Sequence, residues 1–264
     1  MTRPATSRGR AAALSLLVGA ALLLPGAPTL GAASADCRVV NAASGESYGS
    51  LGIALGKAQA GATLGVWGTC RGGLFVQRDV TLRGYPTPGQ PRGVIDGRNV
   101  GKTTLTVAAG VTVRLRMIRV QGGDGGIKGG GIRNNGDLYL ADSVVRQGTA
   151  DRGGGIWNRG RLVLRENSSV RRNVARDTGG GIWNEAGGSL SMEDTARVVR
   201  NRALGDYAGG VLNYGTLRLV DESRIFRNRA AIAGGGLAAI AEAYECPAEH
   251  IVSNAPDDCY LIPV

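Results

Sequence analysis

Four arginines, Arg146, Arg172, Arg200 and Arg227, recur immediately before Gln147, Asn173, Asn201 and Asn228. Residues at one place in a repeat line up when the repeats stack, so these four predict a ladder of guanidinium groups along one corner, with Arg171, Arg176, Arg202 and Arg229 nearby. A guanidinium is a rigid fork of donors that never loses its charge, and a row of forks suits a polymer carrying anions. The competing expectation is that these side chains splay into solvent and pair with Glu166, Asp194, Asp221 or Glu222. A second recurring place holds Arg133, Trp157 and Trp183, each between an apolar residue and an Asn. Alternation points both indoles outward, one above the other, between Arg133 below and Leu212 above. Outward indoles either stack on sugar rings or pack beneath a loop. A Ser/His/Asp set has no basis, because His250 is the sole histidine.

What must position these side chains is a repeat. GGGIRN, GGGIWN, GGGIWN, AGGVLN and GGGLAA begin at Gly129, Gly153, Gly179, Ala208 and Gly234. Intervals of roughly 20–30 residues mark a solenoid whose units share one core. Each unit continues with an alternating pair (Leu138/Leu140, Leu162/Leu164, Leu190/Met192, Leu217/Leu219) and a third segment reading Val144-x-x-Gln147, Val170-x-x-Asn173, Val198-x-x-Asn201, Ile225-x-x-Asn228 and Ile251-x-x-Asn254. Three period-two segments per unit predict three short strands per coil, and no long helical period competes with them. Equivalent strands pairing in register predict two stacked asparagine columns, Asn134, Asn158, Asn184, Asn213 and Asn173, Asn201, Asn228, Asn254. The fold class is therefore all-β, a single-stranded parallel β-helix of about seven coils over residues 64–259. Its first coils are irregular, with Tyr85–Pro91 as a looped excursion. A cap over residues 36–63 contains a short helix after Ser50, and residues 260–264 form a tail.

GGGI followed by [V/I]xxN resembles the GG[A/L/I]…FxxN repeats of polymorphic outer-membrane proteins. It is still more similar to secreted bacterial right-handed parallel β-helix proteins of the pectin-lyase-like class, over about residues 105–259. Val or Ile replaces the Phe in every copy, and Ala239 replaces the Asn in the last coil. A pectate-lyase-like site needs outward acids that hold calcium beside an Arg or Lys base. Arg114, Arg116 and Arg119 offer a base and Asp96 or Asp124 an acid, without a dense acidic cluster. A polygalacturonase-like site needs paired aspartates on adjacent coils, whereas Asp257-Asp258, Glu193-Asp194 and Asp221-Glu222 read as turn or surface residues. The expectation is a non-catalytic module for an anionic or neutral polysaccharide or another anionic extracellular polymer, monomeric and without a cofactor. A calcium-dependent lyase of acidic glycans is the alternative, and only that alternative requires calcium.

Arg3, Arg8 and Arg10 precede an apolar run from Ala11 to Leu24, and Ala33-Ser34-Ala35 has the form of a signal-peptidase site. Residues 1–35 thus read as a cleaved export signal, leaving 229 of 264 residues outside the cell or at its surface with no membrane span. Cys37, Cys70, Cys246 and Cys259 admit three pairings in an oxidising compartment. A rigid solenoid keeps its ends apart, so Cys37–Cys70 and Cys246–Cys259 are expected, one at each end. A zinc site lacks a CxxC pair. Removing the three leader arginines from the net charge of +10 leaves +7, which favours anionic partners. Export and the lack of a recognisable module argue against nucleic acid.

Overall fold

Runs such as Leu138-Tyr139-Leu140 are too short to stand alone, and they persist as strands because each pairs along its length with its equivalent in the next coil. A computed structural model describes residues 36–240 and 246–263, and the expected leader, residues 1–35, lies outside the described residues. The chain forms a parallel β-solenoid of about seven turns with one short helix among the described residues. Three long sheets of nine, eight and eight strands run the length of the stack, and a three-stranded fourth lies between the second and third. One coil shows the path: Arg161–Arg165 in the first sheet, Ser169–Arg171 in the second, Val174–Thr178 in the fourth and Ile182–Asn184 in the third.

Period-two alternation sends one set of side chains inward from each sheet. In the second sheet the inward column runs Cys70, Ile95, Val120, Val145, Val170, Val198, Ile225 and Ile251, all buried. The pairs read from sequence as Leu138/Leu140, Leu162/Leu164 and Leu190/Met192 form the matching columns of the first sheet, each fully buried. Stacking this close requires glycine where backbones cross. A side chain at Gly154 would overlap the Val174 carbonyl, and Gly153 holds a positive φ of 63°.

The register corrects the sequence reading in one coil. Val145, not Val144, stacks on Val170, so Arg146 lies beside Arg171 rather than Arg172. The cause is the preceding corner. From the left-handed residue to the inward valine it spans Asp142 to Val145, one residue less than Glu166 to Val170. Gly148 then occupies the asparagine place, and its N–H donates to Asn173 Oδ1 at 2.9 Å.

Both asparagine columns are hydrogen-bonded. In the first, each Nδ2 donates to the next Oδ1 at 2.7 Å, from Asn134 through Asn158 and Asn184 to Asn213. In the second, Asn173, Asn201, Asn228 and Asn254 are linked at 2.9–3.0 Å through side chains, and each of the first three also donates its backbone N–H to the same oxygen. Asp258 closes that column by accepting from the Asn254 backbone and side chain, and Asp257 accepts from the Gly234 and Gly235 backbone N–H groups.

The ends are closed by local devices. Helix α1 (Leu51–Lys57) buries Leu51 and Ala54 against the first coil, and Arg78 donates to the Gly56 and Ala58 carbonyls at its C-terminus. Arg38–Asn41 pairs antiparallel with both Ala62–Trp67 and Ser47–Tyr48, two cap strands that alternation alone did not reveal. Cys37 is bonded to Cys70 and Cys246 to Cys259, the expected pairing. Strand Cys259–Ile262 belongs to the third sheet, so most of the expected tail is the last rung.

Candidate functional site

The outward face of the second sheet is rich in arginine. Two outward columns flank the buried inward one. The first includes Arg119, Arg197 and Arg224, and the second includes Arg146 and Arg171. Arg172, Arg200 and Arg227 follow at the corner, each at a φ of 53–56°. Left-handed backbone there turns the chain and projects these three side chains away from the core, so they are exposed.

Among the described residues none of these eight arginines lies within ion-pair distance of a carboxylate. Of the acids expected to neutralise them, Glu166, Asp194 and Asp221 stand at the corner that leads into the strands, far from Arg172, Arg200 and Arg227 but at the edge that carries Arg197 and Arg224. Glu222 borders a depression with those two. Asp142, Glu166, Asp194 and Asp221 occupy one left-handed corner column before the strands. There Asp194 Oδ2 accepts from the Glu166 N–H at 2.8 Å, and Asp221 Oδ2 accepts from the Asp194 N–H at 3.0 Å. Glu166 also meets Arg116 of the first sheet at 3.9 Å. The carboxylates are thus engaged with turn backbone and with a different face.

Half-buried arginines feel this lack of compensation. Burial lowers the pKa of Arg119, Arg146 and Arg171, and neighbouring guanidiniums lower it further: Arg92 and Arg171 at Arg119, Arg119 and Arg172 at Arg146, Arg146 and Arg172 at Arg171. Arg119 Nε and Arg171 Nε are buried without a hydrogen-bond partner. Arg146 is relieved indirectly. Its guanidinium donates to Gln121 Oε1 at 2.7 Å, and Gln121 Nε2 donates to Asp96 Oδ2 at 3.0 Å. Towards the C-terminal coils no such relay exists among the described residues, and the floor between the arginines becomes Val199, Phe226 and Val252. A depression of about 280 Å³ lies there, lined by Arg171, Arg197, Arg200 and Arg227 among others.

For Trp157 and Trp183, burial favours packing beneath the chain over a sugar platform. They do point outward from the third sheet, stacked in register between Arg133 and Leu212. They are nevertheless only 1 % and 9 % exposed, part of a small second core with Ala208, Leu212 and Ala238. The chain that leaves the second sheet folds back over them. Lys128 lies 4.4 Å and Arg133 5.1 Å from the Trp157 ring, Arg152 lies 4.9 Å from Trp183, and a 3.0 Å Lys128–Glu185 ion pair clamps the cover. Neither indole presents an open flat face to a sugar.

The candidates for lyase chemistry are not brought together. Arg114 and Arg116 stand on the first sheet, Arg114 over the Tyr139 ring and Arg116 towards Glu166. Asp96 stands on the second, where Arg98 holds it and Gln121 donates to it. Asp124 is paired with Arg176 at 2.6 Å. Among the described residues no three metal-ligating side chains converge. His250 Nδ1 donates to the Ser223 carbonyl at 2.7 Å and pins the last coil.

Sequence reading missed Arg197 and Arg224. Their signal was present as RVVRNR at 197–202 and RIFRNR at 224–229, two copies with arginines at the same three places. Comparison with known proteins returns no matching family model, no matching curated protein and no matching solved structure.

Proposed function

We propose that this chain is an exported, non-catalytic module that holds an anionic extracellular polymer, an acidic polysaccharide above all, along the arginine face of the second sheet, on a β-helix of the right-handed, pectin-lyase-like kind. One observation carries the reading: successive coils place arginines on one open face with no carboxylate within ion-pair distance among the described residues. Such an arrangement repels itself, and a polyanion relieves the repulsion by replacing many small counterions at once. The two disulfides at the ends suit an oxidising location outside the cell. Among the described residues no helix is long and apolar enough to cross a membrane.

The test is retention of the purified protein on immobilised acidic polysaccharide, eluted with rising salt. Retention at low salt with elution as salt rises is expected, because exposed charges are screened over about 8 Å near physiological ionic strength. Passage through every acidic matrix at low salt would sink the reading.

A further inference from the structure

The chemical class of the ligand follows from the last two complete coils of the arginine face. RVVRNR and RIFRNR lie in register there, with Arg197 on Arg224 and Val199 on Phe226. Arg197 and Arg224 form one edge of a strip, and Arg200 and Arg227, at φ of 56° and 54°, form the other. Between these rails the floor is apolar, made by Val199 and Phe226, both half-buried, with the Arg227 guanidinium 5.9 Å from the centre of the Phe226 ring. All four arginines are exposed, and none is ion-paired among the described residues. Glu222 lines the neighbouring depression with Arg197 and Arg224, outside ion-pair distance of both.

This geometry asks two things of a ligand. The floor asks for a flat unit with an apolar face, and rails on both sides ask for anionic groups on both edges of that unit. A sugar ring has an apolar C–H face. With a single carboxylate, however, a uronate ring reaches one rail and leaves the other uncompensated. A bare phosphate polymer has no apolar face at all. A nucleic-acid strand has flat bases but carries its phosphates along one side. A ring bearing several sulfate half-esters meets both demands, and guanidinium forks match tetrahedral oxyanions by charge-assisted hydrogen bonds.

We propose that the strip Val199–Phe226 is a subsite for a sulfated glycan, the ring lying on the floor and its sulfates reaching Arg197 and Arg224 on one side and Arg200 and Arg227 on the other. This rests on the reading that the arginine face is the binding surface. Arginines in adjacent coils stand about 4.8 Å apart along the stack, so each rail presents two guanidiniums to one edge of a single ring.

The experiment compares three ligands of matched charge in solution, at about 0.15 M salt and at several lower concentrations: a highly sulfated glycan such as heparin, an unsulfated polyuronate and a single-stranded oligonucleotide. The sulfated glycan is expected to bind at least about tenfold tighter than either of the others. Arg200→Gln with Arg227→Gln should erase that preference and lower the salt slope by about two, one for each guanidinium removed. Phe226→Ala should weaken the sulfated glycan with the salt slope unchanged, since the floor carries no charge. Polyuronate binding as tightly as the sulfated glycan, or oligonucleotide binding tighter, would overturn the ligand class while leaving the arginine face intact as a binding surface. A preference that survives loss of the Arg200/Arg227 rail would overturn its location. Failure of all three ligands to bind the unaltered protein would instead remove the binding reading on which the subsite rests.

Discussion

Arg119, Arg146 and Arg171 are half-buried on an open sheet face, where each guanidinium has lost part of its water without gaining a carboxylate. Trp157 and Trp183 show the opposite relation of place and role: outward in direction, yet covered. Their indole Nε1 atoms have no hydrogen-bond partner, so they contribute through packed area and through the cations over their rings. Trp157→Ala is therefore expected to cost about 3–5 kcal/mol of stability, measured by denaturant unfolding, while polyanion retention of the folded fraction stays unchanged. Loss of retention without loss of stability would return the indoles to the binding surface. Asp96 gives a pH signature. Burial alone would raise its pKa, but hydrogen bonds from Arg98 and Gln121 outweigh that and hold it below the ordinary 3.8. A depressed folded pKa contributes stability above the unfolded value, and the contribution is lost as pH falls through the folded one. The stability gap between the protein and its Asp96→Asn variant should thus be open at neutral pH and close below about pH 4. A gap that widens on acidification would contradict the assignment.

At the scale of the element, the asparagine columns do what hydrophobic burial cannot. Each interior Asn occupies a site lined with backbone groups and fixes the register of one coil on the next. Asn201 accepts from the Asn173 N–H and Nδ2 and donates to Val170 O and Asn228 Oδ1. Asn201→Ala would strand several of these buried groups, for an expected cost of about 3 kcal/mol by denaturant unfolding. A cost under about 1 kcal/mol would mean that water replaces the side chain. The N-terminal disulfide closes a separation of 33 residues, and Cys37→Ser with Cys70→Ser should cost about 4 kcal/mol, first seen as exchange of amides in the cap. These elements were legible in the sequence because they rest on local chemistry: GGGI, period-two leucines and the asparagine of the turn. Val144 and Val145 were ambiguous because both are apolar, and only the length of the corner decides which one points inward. The cover over Trp157 was not legible, since the fourth sheet that leads into it arises from residues 149–152, 174–178 and 202–203, which show no alternation of their own. Arg197 and Arg224 were legible as RxxRxR, but their partnership with Arg200 and Arg227 across an apolar floor emerges only once the strand is in register.

Across the whole molecule the charge is sorted by face and by end. One corner column is acidic and satisfies its own turns, whereas the adjoining sheet face is basic and does not. Along that face the relay from Arg146 through Gln121 to Asp96 relieves one arginine of the earlier coils, and the exposed arginines Arg197, Arg200, Arg224 and Arg227 stand in the later ones. Net charge alone would attract polyanions to any exposed arginine, and the first sheet offers Arg83, Arg114, Arg161 and Arg218. Arg114 and Arg161 both lie over the Tyr139 ring, Arg83 lies over Tyr85 and, on the second sheet, Arg227 lies over Phe226, so stacking on rings does not separate the two faces. The most direct measurement is therefore a paired neutralisation: Arg197, Arg200, Arg224 and Arg227 changed to Gln in one variant, Arg83, Arg114, Arg161 and Arg218 changed to Gln in another, with affinity for an acidic polysaccharide compared at equal salt. Each variant loses four positive charges. The account predicts that the first loses nearly all binding and the second keeps most of it. Equal losses would show that binding follows net charge rather than the built face of the second sheet, and would contradict the account.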